Sequence, residues 1–271
     1  MRIPWQFLLA VAAFVMVAFV AAACDDEDER PTAPELANGV LRVGSDIAYA
    51  PIEFFEVGSQ RPIGLDIDLA EAMADWLRVK AEFQNMGFDD LITALQNGEI
   101  DVIMSAMTIT PDRSQEIDFI PYLNAGTGIL VAAGNREGIL ALEDLCGLRV
   151  AVQGDTIQVA QVSALNEGAC ADNQIDLLTF SENPLAVEQL RVGGADAVLA
   201  DDPVVVNAAS LSEGRLEVAV SAFEPAPYGI GVRKESSALR AALQEALQRL
   251  IDNGTYADIL EEWNLTSGSF E

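Results

Sequence analysis

From Val40 onward, apolar residues recur at two spacings that alternate along the chain. Runs dense in Val, Leu and Ile read as strands: "LRVGSD" (41–46), "IDVIMSA" (100–106), "LRVAVQ" (148–153), 175–180 and "DAVLA" (196–200). Between them lie stretches of helical period. In 65–77 the apolar positions 69, 73, 76 and 77 fall on one face, behind Asp66 or Asp68 as an N-terminal cap. Segments 88–98, 156–167, 184–192, 237–252 and 255–263 read the same way, the first ending at Gly98, a suitable residue just beyond a helix. Met73, Trp76, Leu77 and Trp263 belong to the packing of these helices, not to a site. Alternation of this kind predicts an α/β fold with largely parallel sheets.

Two stretches echo each other without gaps, "LQNGEIDVIMSAM" (95–107) and "LRVGGADAVLADD" (190–202). Leu95, Gly98 and Asp101 align with Leu190, Gly193 and Asp196, each a helix end, a glycine and a strand entry. Either two common helix–strand units coincide, or the chain has two similar sheets and hence two lobes. Ligands of open α/β sheets bind beyond the carboxyl ends of the strands. Two lobes would bring Ala106 and Asp201 to one such place.

Just past the first of these strands, Thr110-Pro111 reads as an N-cap followed by proline at the first helical position. That leaves Arg113 in the first turn, where the helix end is already partly positive. Taken alone, Arg113 is either a solvated turn residue or the mark of a bound anion.

Residues 3–23 carry no charge and end in small residues directly before Cys24. They read as an export signal, 1–23, with Cys24 as a lipidated new N-terminus and the acidic, proline-containing 24–39 as a tether. Ordinary cleavage after Ala23 and an uncleaved anchor are the alternatives. In an exported chain the remaining cysteines, Cys146 and Cys170, read as a disulfide in preference to two buried thiols.

The net charge is −28, and Lys occurs only at 80 and 234. Such a surface repels nucleic acid. Histidine is absent, which removes Ser-His-Asp and Cys-His catalysis and His-based zinc motifs. No glycine-rich loop fits a nucleotide phosphate, so neither cofactor nor metal is expected. What remains tilts toward binding.

The blocks "LRVGSDIAYAPIEFF" (41–55), "PIGLDIDLAEAMA" (62–74), "LITALQNGEIDVIMSAMTITPDR" (91–113), "DAVLADDP" (196–203), "PYGIGVRK" (227–234) and "LIDNGTYADILEEW" (250–263) occur in one order. That ordered set resembles the polar amino-acid-binding proteins of ABC importers, extracellular solute-binding protein family 3. The resemblance implies a two-lobed, type II periplasmic-binding-protein-like α/β fold with two hinge crossings. Lobe 1 would be 40–126 plus 226–265, and lobe 2 127–225.

It also implies a monomer, a free amino acid as ligand and an ABC permease as partner, outside the cytoplasmic membrane and held there by lipid. Arg113 would take the ligand's α-carboxylate, with Thr108 as the neighbouring hydroxyl, and Asp201 and the Ala106 carbonyl would take its ammonium. Asp46, Tyr49, Glu53 and Phe88 would line the side-chain end. The acid at Asp46 leans the ligand slightly toward arginine, lysine or ornithine.

The opposite carboxylate loop, "QGDT" (153–156), departs from the family pattern and is one residue shorter. Thr156 would contribute there. Asp155 either caps helix 156–167 or sits against the carboxylate. Two further readings share the scaffold. One is a cyclohexadienyl dehydratase-like enzyme using Glu53 or Asp155. The other is a sensor subunit working with a separate kinase.

The mass of the intact, membrane-extracted protein tests the processing expectation. It should correspond to a chain beginning at a lipid-modified Cys24. A retained Met1 or an unmodified Cys24 would exclude the anchor.

Overall fold

The computed structural model describes residues 32–270, so the expected signal segment and Cys24 lie outside the described residues. The chain starts with strands β1 (Val40–Ser45), β2 (Ala48–Tyr49), β3 (Glu53–Phe55) and β4 (Pro62–Ile63), then helix α1 (Leu65–Trp76) and β5 (Lys80–Asn85). There follow α2 (Leu91–Gln96), β6 (Val102–Ile103), α3 (Pro111–Glu116), β7 (Asp118–Ala132), β8 (Arg149–Gln153), α4 (Ile157–Glu167), β9 (Asp176–Phe180), α5 (Asn183–Arg191) and β10 (Ala197–Asp201). The chain ends in α6 (Asp202–Ser210), β11 (Leu216–Val232), α7 (Ser237–Asp252) and α8 (Thr255–Glu262).

Eight strands form one continuous ladder in the order β5-β1-β6-β11-β7-β10-β8-β9, and β2-β3-β4 form a small separate sheet. The parallel trios β5-β1-β6 and β10-β8-β9 are the two lobes' sheets. The long antiparallel strands β7 and β11 run through both. Val232 pairs with Asp118 beside β6 at one end, and Leu216 pairs with Ala132 beside β10 at the other. The register of β11 slips between Val218 and Ala226, where Ala222 and Glu224 take positive φ. Gly126 faces that irregular stretch, and a Cβ on it would lie 2.7 Å from the Ala222 backbone, so only glycine fits there.

The echo seen in the sequence has a shared physical cause. Arg42, near the start of β1, grips Asp101 at 2.6 Å, while Arg149 opens β8 and grips Asp196 at 2.6 Å. In both units the backbone amide of the Arg also donates to the same carboxylate, and its Nη1 donates to a glycine carbonyl, Gly98 or Gly193. Those glycines have φ of 73° and 74°. Each Asp therefore ties the entry of one strand to the entry of its parallel neighbour.

Most elements lie within a residue or two of the expected spans. The strand expected over 100–106 is confined to Val102–Ile103, and two further sequence expectations need correction. Segment 88–98 divides into a 3-10 turn (Phe88–Asp90) and the shorter α2. Neither Asp66 nor Asp68 caps α1, whose N-cap is Gly64. Asp66 is buried instead, and Asp68 accepts a hydrogen bond from the Trp263 indole at 2.7 Å, which fixes the C-terminal segment on α1. Of the expected tether, Pro34–Leu36 form a 3-10 turn, Ala33 is buried, and Glu35 lies 3.7 Å from Arg233.

Buried Leu41, Leu69, Met73, Tyr122, Tyr228 and Leu243 belong to the largest apolar core. A second core, around Ile129, Val152 and Val162, packs lobe 2. Cys146 and Cys170 are joined there as a disulfide with Cα atoms 5.1 Å apart. Among the described residues no helix is long and apolar enough to cross a membrane.

Closing that loop removes chain entropy from the unfolded state worth about 3.5 kcal/mol. The paired Cys146→Ser, Cys170→Ser variant should lose stability of that order in urea unfolding. An unchanged midpoint would show that the bridge contributes nothing to lobe 2.

Candidate functional site

Between the lobes lies a cleft with about 310 Å³ of atom-free space, part of it open to solvent. Asp46, Tyr49, Glu53, Phe88, Ala106, Thr108 and Arg113 line it from the lobe 1 elements. Thr156 and Asp201 line it from the lobe 2 elements. All nine residues expected from the sequence therefore meet in one place. Ser105, Gln153, Ile157 and Gln158 complete the wall.

Arg113 is positioned by its own helix start. Thr110 caps α3 by accepting the Arg113 amide at 3.2 Å, and Pro111 occupies the first turn. The half-buried guanidinium spans the cleft. Nη1 donates to the Thr108 carbonyl at 2.8 Å, and Nη2 donates to the Asp155 carbonyl at 2.7 Å. Its carbon lies 5.2 Å from the centre of the Phe88 ring, a cation–π contact. Among the described residues no carboxylate lies within ion-pair distance of this guanidinium. Desolvation lowers the Arg113 pKa, with the charges of Asp201 and Asp155 opposing the shift.

The QGDT loop is set differently from the capping expectation. Thr156 is the N-cap residue of α4, and Asp155 stands before it with φ of 57°. Asp155 is exposed, and its carbonyl, not its carboxylate, meets Arg113. The Thr156 hydroxyl donates to the Gln153 carbonyl at 2.8 Å.

Asp201 ends β10, is buried, and is held from three directions. Tyr228 of β11 donates to one oxygen and Gln158 of α4 to the other at 2.8 Å, while the Tyr49 hydroxyl accepts the Asp201 amide at 3.1 Å. Burial raises the Asp201 pKa, and hydrogen bonds from Tyr228, Gln158 and Tyr49 oppose that rise. Ala106 has φ of 47°, and its amide is anchored on Asp66 at 2.9 Å, which fixes the peptide next to the cleft.

At the other end the Gln153 side chain donates to Asp46 at 2.6 Å, a direct bond between the lobes. Burial lifts Asp46 to about 6 despite that bond. Glu53 is fully buried and accepts from the Ser105 hydroxyl at 3.0 Å. Behind it Asp66 accepts from the Tyr122 hydroxyl at 2.7 Å, and burial lifts this carboxyl to about 7. The cleft thus sets one guanidinium among several desolvated acids. Such a site suits a small molecule carrying a carboxylate and positive charge.

Gln153, Gln158, Ser105, Asp66 and Tyr228 were not picked out from the sequence. Tyr228 and Asp66 sat inside the quoted blocks. Gln158 had no local signal, lying in the first turn of an otherwise ordinary helix. Among the described residues no cluster of three or more acids, Cys or His is placed to hold a metal ion.

Residues 41–266 match the family "Bacterial extracellular solute-binding proteins, family 3". The arginine-binding protein ArgT of Corynebacterium glutamicum is 31% identical, over 98% of this chain and 94% of that protein. An ancestral arginine-binding protein solved with arginine superposes with a TM-score of 0.78 at 37% identity, over 83% of this chain and 98% of that one. Its glutamine-bound structure gives 0.77 at 37% identity, over 83% and 97%. An ancestral amino acid-binding protein described as a precursor of cyclohexadienyl dehydratase gives 0.74 at 36% identity, over 83% and 96%. The fold is thus the two-lobed type II binding-protein fold expected from the sequence, and the chain belongs to the bacterial extracellular solute-binding proteins of family 3.

Proposed function

We infer that this chain captures a free amino acid with a cationic side chain outside the cytoplasmic membrane and presents it to an ABC importer. One observation carries the reading. Arg113, with two of its nitrogens on backbone carbonyls, and Asp201, held by three polar partners, line one small cleft between two lobes. In this reading Arg113 takes the α-carboxylate and Asp201 with the Ala106 carbonyl takes the α-ammonium. The guanidinium fork matches a carboxylate bidentately. Thr108 and Thr156 flank the carboxylate, and Tyr49 and Phe88 bound the aliphatic stem.

The lean toward a cationic side chain rests on Asp46 and Glu53, desolvated acids lining the cleft with no Lys or Arg partner among the described residues. The similarity to arginine-binding proteins supports it. Closure needs contacts that exist only when the lobes meet. The Asp46–Gln153 and Arg113–Asp155 bonds have that property, with 40–126 plus 226–265 moving against 127–225. Lipid on Cys24 would keep this monomer near its permease. A disulfide in lobe 2 fits an oxidising compartment. The enzyme reading finds less support, because the Asp155 carboxylate is exposed and its carbonyl faces the cleft.

A thermal-shift panel of the standard amino acids with ornithine and citrulline tests the ligand class. The largest rise should come from a basic amino acid, since a ligand at a hundred times its Kd adds about 2.7 kcal/mol to stability. Arg113→Ala should weaken that ligand by about 2–5 kcal/mol, because it strands a desolvated carboxylate. Undiminished affinity in this variant, measured by calorimetry, would remove Arg113 from the site.

A further inference from the structure

Glu53 is the least well satisfied charged group in the cleft wall. It is 1% exposed. Its Oε1 accepts one neutral donor, the Ser105 hydroxyl at 3.0 Å, and its Oε2 has no partner in the protein. Ser105 is itself committed, since its oxygen accepts the Asp46 amide at 2.9 Å. The charges that press on Glu53 are acidic: Asp66 behind it on α1, Asp46 just past β1, and Asp201 across the cleft. Arg113, the cation lining the same cleft, is held on the Thr108 and Asp155 carbonyls. The remaining titratable neighbours, Tyr49 and Tyr122, are neutral hydroxyls turned to Asp201 and Asp66. Among the described residues no Lys or Arg pairs with any of these four acids.

A buried carboxylate in that position has two ways to lose its penalty: it can take up a proton or it can meet a cation. Asp66 is the better seat for negative charge, because the Ala106 amide and the Tyr122 hydroxyl already point at it. Glu53, with a single neutral donor and an unpartnered buried oxygen, is the better seat for a proton.

We propose that Glu53 is a proton-exchanging residue of this site, carrying a proton on Oε2 in the ligand-free protein and releasing it to solvent when a cationic amino-acid side chain arrives. The exchange balances as one carboxylic acid and one cation going to one carboxylate–cation pair and one solvated proton. Capture is thereby selective for charge. A neutral isostere of the same shape finds the acid protonated and gains no ion pair. Burial first, then the charge of Asp66, push the Glu53 carboxyl well above the ordinary range, with the Ser105 hydroxyl opposing them.

The sign of the pH dependence follows from linkage. A proton competing with the ligand is removed as pH rises, so affinity for a cationic ligand increases by up to about tenfold per pH unit while Glu53 is still protonated. The proposal rests on the basic-ligand reading above, and one experiment separates the two. L-arginine and its neutral isostere L-citrulline are titrated calorimetrically into the protein between pH 5.5 and 8, in buffers of different ionisation enthalpy.

Arginine should release up to one proton and bind more tightly as pH rises, and citrulline should do neither. Above pH 7, where Asp46 at about 6 is already ionised, Glu53→Gln should abolish most of the release and narrow the preference for arginine over citrulline, whereas Asp46→Asn should keep the release. Arginine binding without proton release in the unmodified protein overturns this proposal and leaves the ligand class intact. Release that persists above pH 7 in Glu53→Gln overturns the assignment to Glu53. No arginine binding at any pH overturns both readings.

Discussion

The charge balance of one small cleft governs the rest of this structure. Arg113 supplies a positive charge whose two hydrogen-bonded nitrogens end on neutral carbonyls. Asp46, Glu53 and Asp201 line the same space, with Asp66 directly behind. Separating these charges from water is costly, and neutral hydrogen bonds offset only part of that cost. In the proposed reading a zwitterion with an additional cation offsets part of this charge: its carboxylate would answer Arg113 and its two positive groups would answer acids at opposite ends.

The scaffold that holds this arrangement is built around the two long strands shared by both sheets. Tyr122 of β7 and Tyr228 of β11 lie with ring centres 6.1 Å apart, and each hydroxyl holds one buried carboxylate, Asp66 or Asp201. The strands joining the lobes therefore also orient the acids of the site. Away from the cleft, the matched Arg42–Asp101 and Arg149–Asp196 grips tie down the entries of the strands that lead to Ala106 and Asp201. Three buried apolar cores fix those sheets in place. The lobes meet across the cleft through the Asp46–Gln153, Arg113–Asp155 and Tyr49–Asp201 bonds, contacts that the ligand-driven closure proposed above would use.

Much of this was legible in the chain. Apart from β5, whose KAEFQN has none of these residues and went unread, the short parallel strands are dense in Val, Leu and Ile, and the helices keep their period, so those elements stood out. Arg113 was legible because Thr110-Pro111 fixes a helix start, which makes a cation there anomalous. The long strands were not readable from pattern. β7 contains Pro121, Gly126 and Gly128, and β11 contains Pro225, Pro227 and a stretch of largely exposed or half-buried residues, so neither shows a strand's alternation. Only the family resemblance implied the crossings.

Asp66 misled for a related reason. An acid at a helix start reads as a cap, and nothing local records that Tyr122, far along the chain, will donate to it. Gln153 and Gln158 act across the cleft or toward a distant strand, so their roles exist only once the two lobes are placed together.

The most direct test of this account is a crystal structure of the protein grown with L-arginine. The account predicts the ligand between the lobes, its α-carboxylate on the Arg113 guanidinium, its α-ammonium on Asp201, and its guanidinium directed to Asp46 and Glu53. A ligand carboxylate placed away from Arg113, or arginine bound outside this cleft, would contradict it.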